Sequence, residues 1–167
     1  MTPSSATRAT TGHSTGARHG KCMCGAVSFR ALDVPDEFGA CHCEMCRRWT
    51  GAALLAVTVP EGHVTFTGQQ HIKRLQSSPW AERAWCDRCG SHLWYRVTDG
   101  GVWSGNYELP IGLFDDTSGM RLTSEIYHDV KPDAFSFADE TEKMTRAEVF
   151  EKFRPGSLSK EQSNDRI

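Results

Sequence analysis

Cys22-Met23-Cys24-Gly25 and Cys86-Asp87-Arg88-Cys89-Gly90 are the two stretches that decide how this chain folds. Each holds two thiols separated by one or two residues and follows them with a glycine. That spacing lets two thiolates converge on one ion from a tight turn, and the glycine turns the chain without a Cβ clash. Two such pairs, far apart in sequence, complete a tetrahedral four-thiolate site, as in zinc ribbons. Here they would join the first strand to the middle of the chain. Between them lies Cys41-His42-Cys43-Glu44-Met45-Cys46. Three thiols packed this closely, with a fourth position vacant, describe a catalytic zinc that admits water or a substrate thiolate.

Thiolate-only sets suit zinc or an iron–sulfur cluster, and spacing alone admits both. A Rieske centre is excluded, because no Cys-x-His pair supplies its ligands. The trio would instead be a second structural site if a histidine completed it. His63, His71, His92 and His128 are the candidates, whereas His42 inside the trio is sterically awkward. His92, three residues after Cys89, reads first as a strand residue and only second as an extra ligand.

The rest of the composition agrees with an intracellular metalloprotein. The chain has 167 residues, the size of one domain. Lys+Arg number 19 against 21 Asp+Glu, a formal charge of −2, which argues against a phosphate-backbone binder. Seven cysteines are an odd number, unlike a secreted disulfide framework. Met1 to Gly20 has no apolar core of a signal peptide, so a cytoplasmic location is expected. No apolar run approaches the roughly 20 residues that cross a bilayer, so no membrane is expected as a partner.

Along the chain the signal is mostly β. Residues 1–18 read as a disordered tail, 19–154 as the zinc-binding domain and 155–167 as a polar C-terminal tail. Ala26–Arg30, Leu54–Val59, Val64–Thr67, His92–Val97, Val102–Trp103 and Glu125–His128 read as strands, several of them closed by Gly or Pro turns. One short helix is expected late: Thr145 and Glu148 fit a capping box, with Val149, Phe150 and Phe153 on one face before Pro155-Gly156. The tryptophans, Trp49, Trp80, Trp85, Trp94 and Trp103, read first as core.

Three stretches together resemble the glutathione-dependent formaldehyde-activating enzyme family, whose domain also occurs in centromere protein V. They are Gly20-Lys21-Cys22-Met23-Cys24-Gly25-Ala26-Val27, Cys41-His42-Cys43-Glu44-Met45-Cys46-Arg47-Arg48 and Cys86-Asp87-Arg88-Cys89-Gly90-Ser91, and the likeness runs from about Gly20 to Val130. The resemblance implies a mainly β, zinc-containing β-tent fold of several small antiparallel sheets with a short C-terminal helix. It implies a structural zinc on Cys22, Cys24, Cys86 and Cys89 and a catalytic zinc on Cys41, Cys43 and Cys46, two Zn2+ per chain. The implied activity is that of a carbon–sulfur lyase: condensation of glutathione, or another small thiol, with formaldehyde or a similar aldehyde to S-hydroxymethylglutathione. Glutathione carries two carboxylates, which makes Arg47 and Arg48 the expected substrate clamps beside the metal.

Two competing functions separate on sequence features. A non-catalytic zinc-stabilised binding module that bound nucleic acid should carry basic extensions, and the N-terminal tail has only Arg8 and Arg18. Methionine sulfoxide reduction needs a nucleophilic cysteine late in the domain, and none follows Cys89. Glu44, inside the trio, reads as a solvated turn carboxylate or a proton relay.

Overall fold

The computed structural model describes residues 16–101 and 103–153. The first half of the chain gives β1 (Arg18–Lys21), β2 (Ser28–Ala31), β3 (Glu37–Cys41), α1 (Glu44–Thr50), β4 (Leu54–Val59), β5 (Val64–Thr67) and β6 (Ile72–Ser78). The second half gives β7 (Ala81–Cys86), β8 (His92–Val97), β9 (Tyr107–Pro110), β10 (Arg121–Ile126), β11 (Glu142–Met144) and α2 (Arg146–Lys152). The fold is mainly β, as expected, in two sheets. One is antiparallel, in the order β1-β2-β5; the other runs β11-β10-β3-β4-β9-β8-β7-β6. The large sheet is mixed, because β10 runs parallel to both β3 and β11. Among the described residues no helix is long and apolar enough to cross a membrane.

Strands at Leu54–Val59, Val64–Thr67 and His92–Val97 stand where their alternation and turn signals put them. The late strand is Arg121–Ile126 and stops before Tyr127, whose φ of 57° breaks the extended run. Of the expected pair Val102–Trp103, Val102 lies outside the described residues and Trp103 sits in a turn. The late helix forms on its capping box, with the Thr145 side chain accepting from the Glu148 N–H and Glu148 reaching back to the Thr145 N–H. Residues 1–15 of the expected N-terminal tail and all of 155–167 lie outside the described residues, whereas Arg18 opens β1 and pairs with Asp36 at 3.0 Å.

Alternation gives the large sheet two different faces. Val57, Val59, Trp94, Tyr107 and Leu109 project toward the small sheet and meet Phe29, Phe66 and Phe114 in one buried cluster. Phe66 packs 4.6 Å from Trp94 and Phe29 stands edge-on to Phe114 at 5.1 Å between ring centroids. Their neighbours Thr58, Arg83, Tyr95 and Glu108 face the other way. Register pairs Arg83 with Tyr95, Tyr95 with Glu108 and Glu108 with Thr58, so these four form a polar row across β7, β8, β9 and β4. This second face is the floor of a cavity of about 630 Å3, walled by α1 at one side and by β10, β11 and α2 at another.

Candidate metal centres

The two outer cysteine pairs meet in space. Cys22 and Cys24 follow β1, Cys86 ends β7, Cys89 precedes β8, and all four sulfurs lie within 4.8 Å of one another. The knuckles are built alike: Gly25 and Gly90 both have φ of +75°, and their N–H groups donate back to the Cys22 and Cys86 carbonyls at 3.0 and 2.8 Å. A side chain at either φ would be strained, which is why glycine follows each pair. Four thiolates about 2.3 Å from a tetrahedral ion stand about 3.8 Å apart. The sulfurs of Cys22 and Cys24 are 3.6 Å apart and those of Cys24 and Cys86 3.9 Å. A disulfide needs about 2.05 Å, and all seven cysteines are free. The donor set therefore fits a tetrahedral thiophilic ion, one that ties the small sheet to the large one.

Cys41, Cys43 and Cys46 form the other group, also within 4.8 Å, and among the described residues no histidine nitrogen joins either group. Cys41 ends β3, Cys43 caps α1 by accepting from the Cys46 N–H at 3.3 Å, and Cys46 is buried one turn in. Helix α1 was not legible as a helix, yet its signals are present: Glu44 in the first turn, Arg47 and Arg48 in the last, and Gly51 closing it at φ +80°. All three of these cysteines line the cavity, whereas none of the four knuckle cysteines does. The three thiols share protons. Hydrogen bonds from Cys41 and Cys46 push Cys43 down to about 2, and the same sharing with Cys43 and Cys46 holds Cys41 well above its ordinary value. For Cys46 the bond from Cys41 pulls downward, but Cys43 and burial outweigh it and leave the thiol at about 11.

Arginine reaches the trio from an unexpected place. Arg83 is 5% exposed, with Nη2 3.8 Å from the Cys46 sulfur and Nη1 donating to the Ser77 hydroxyl. The guanidinium lies between the rings of Trp49 and Tyr95, at 5.5 and 5.0 Å. The expected clamps sit elsewhere: Arg47 Nε donates to the His42 carbonyl at 2.9 Å, Arg48 is exposed, and neither lines the cavity. Glu44 is exposed as well.

His42 proves to be the trio's foundation. Its ring is fully buried against Phe135 and Phe137, with Nε2 2.8 Å from Glu125 Oε2, and Thr141 donates to the other Glu125 oxygen at 2.5 Å. Burial pushes His42 below its ordinary value against the pull of Glu125, so the ring is neutral at pH 7. Burial pushes Glu125 up, but the bonds from Thr141 and His42 outweigh it and keep the group an acid below the usual range. His92 stacks on Trp49 at 4.3 Å instead of joining a ligand set. Of the tryptophans only Trp94 is fully buried; Trp80 and Trp103 stand on the cavity rim.

A family model described as glutathione-dependent formaldehyde-activating enzyme matches residues 17–130. An uncharacterized lyase of Schizosaccharomyces pombe is 28% identical over 130 residues, covering 78% of this chain and 92% of the relative. A Halomonas elongata protein named as a glutathione-dependent formaldehyde-activating enzyme is 36% identical over 84 residues, 45% of this chain, and the match spans about half (53%) of that relative. A crystallographically solved Rhodobacter sphaeroides protein superposes with a TM-score of 0.49 at 19% identity, covering 76% of this chain and 99% of that one.

Proposed function

The chain belongs to the glutathione-dependent formaldehyde-activating enzyme family, and from that premise we propose that it is a zinc-dependent carbon–sulfur lyase that joins a small thiol to formaldehyde. In this reading Cys22, Cys24, Cys86 and Cys89 hold a structural zinc and Cys41, Cys43 and Cys46 a catalytic one. The observation that carries the reading is the asymmetry between the two cysteine groups. Four sulfurs close on themselves away from the cavity, and three open into it. A zinc bound by the trio supplies an acidified thiol and a Lewis acid for the aldehyde.

The chain's own residues prepare that site. Arg83, held between two rings, offsets thiolate charge at Cys46 without needing water. His42 and Glu125 fix the peptide between Cys41 and Cys43 from below, and Arg47 braces the His42 carbonyl. The glutathione of the family's name is one thiol this site could take, and formaldehyde needs no pocket of its own because it offers almost no surface to bind.

Metal analysis of the purified protein should find about two zincs per chain. NMR exchange spectroscopy with a thiol and formaldehyde should show interconversion accelerated by the protein and reduced in Cys43→Ser. Two zincs without acceleration by any thiol would refute the lyase reading.

A further inference from the structure

A thiol with two carboxylates needs cations to receive them, and the cavity offers few. Arg83 is engaged by Cys46, Ser77 and two aromatic rings. Lys152 is exposed at the mouth, where its Nζ lies 3.9 Å from the Met144 sulfur and 5.5 Å from the Phe153 ring. Against these stand Asp99, Glu108 and Glu142, which line the same cavity and have no ion-pair partner among the described residues. Glu37 also lines it, with Arg121 at 3.4 Å. Burial holds Glu108 up to about 7 despite the Thr58 hydroxyl, which lies 3.0 Å from both carboxyl oxygens and donates its one proton to the pair, the mark of surroundings that resist charge.

What the wall offers instead is apolar. Six large hydrophobic side chains are exposed among the described residues, and four of them, Met45, Trp80, Trp103 and Phe150, gather on this one cavity. Such a concentration on a small domain marks a binding surface. Position narrows the occupant: these residues and the three cysteines line one cavity, so a ligand held there by its sulfur has this apolar lining to pack its remaining bulk against. Glutathione, with two carboxylates and one ammonium beyond its sulfur, would instead bring a net negative, strongly hydrated tail to a wall that carries Asp99 and Glu142.

We infer that the thiol this site selects is neutral and apolar beyond its sulfur, an alkyl or arylalkyl thiol, in preference to glutathione. The inference rests on the reading that the trio holds a metal with one open position, and the test separates the two. Protein loaded with cobalt(II) is titrated with 2-phenylethanethiol, glutathione and 2-mercaptoethanol, following the sulfur-to-cobalt absorption band. The aromatic thiol should half-saturate at a concentration about tenfold or more below glutathione. Trp103→Ala and Phe150→Ala should each weaken 2-phenylethanethiol several-fold and leave 2-mercaptoethanol unchanged. Glutathione binding as tightly as the aromatic thiol, or a tail preference indifferent to both variants, overturns the inference while keeping the open site. A band that no thiol moves overturns the open site itself. A dimer that Phe150→Ala converts to monomer assigns the rim to a second copy of this chain and also overturns the inference.

Discussion

Glu125→Gln tests whether the buried pair beneath the trio carries the load assigned to it. Ionised Glu125 accepts from His42 Nε2 and from Thr141, so the ring proton sits on Nε2 and Nδ1 is left as a buried acceptor without a partner. A glutamine cannot accept from both donors with its amide nitrogen. Its oxygen keeps the Nε2–H bond only if its NH2 turns to the Thr141 hydroxyl, which must then accept instead of donate. Two charge-assisted bonds become neutral ones, a cost of about 1–2 kcal/mol. For a chain of this size that lowers Tm by about 2–8 °C, read by calorimetry at pH 7 with both proteins in the same metal state. The pH dependence supplies the control. The folded pKa of Glu125 is below its ordinary 4.5, so its contribution is present above 4.5 and fades as pH falls through the folded value. His42 is also depressed, from 6.5, so acid favours the unfolded chain through that group too. The gap between wild type and variant should therefore narrow below pH 4.5. A variant as stable as wild type at pH 7, or a gap that acid leaves untouched, would refute the reasoning.

Two further outcomes follow from the same geometry. Stripping metal with a chelator should lower Tm by about 10 °C or more, because the four-cysteine site ties the two sheets together; Cys24→Ser should reproduce most of that loss, and a Tm indifferent to chelation would remove the structural ion. Glu108 has its folded value raised from 4.5 to about 7, so it keeps a proton that the unfolded chain releases and destabilises the fold increasingly as pH climbs from 4.5 past 7. Glu108→Gln should match wild type in urea unfolding near pH 4 and exceed it at pH 8, and a difference independent of pH would show that the carboxyl ionises as freely folded as unfolded.

The cysteine grouping was legible because ligand spacing is local: each knuckle needs only its pair and the glycine after it, and both glycines take the same φ. Strands such as His92–Val97 were legible for the same reason, through alternation within a few residues. Arg47 and Arg48 stand off the cavity lining because adjacency in sequence is not adjacency on a helix. Each residue turns about 100°, so with Cys46 facing inward its two successors swing toward the His42 loop and solvent. Arg83 and Glu125 were invisible for the opposite reason. Arg83 reaches a cysteine 37 positions away, and Glu125 a histidine 83 positions away; register and topology bring them there. Short α1 escaped because its cap is a cysteine, whose spacing reads as metal chemistry before it reads as a helix start.

Charge would set the two cysteine groups apart if each held a dication, as proposed. Coordinating thiols are deprotonated, so four of them with a dication leave a formal −2, and three leave −1. The knuckle spreads its excess near the surface, where Cys24 is exposed and the Val27 N–H donates to the Cys22 sulfur at 3.3 Å. The trio has Arg83 beside Cys46, whose single positive charge would bring a dication-loaded site to zero. A neutral centre in an apolar cavity can admit one thiolate at modest electrostatic cost. Every further negative charge on such a ligand would meet Asp99 and Glu142, with no second guanidinium among the residues lining the cavity. Arg83 is engaged by Cys46, Ser77 and two rings, so the carboxylates of a ligand such as glutathione would find Lys152 as the other cation lining the cavity, and the inferred choice of thiol rests on that placement of Arg83 as much as on the apolar rim.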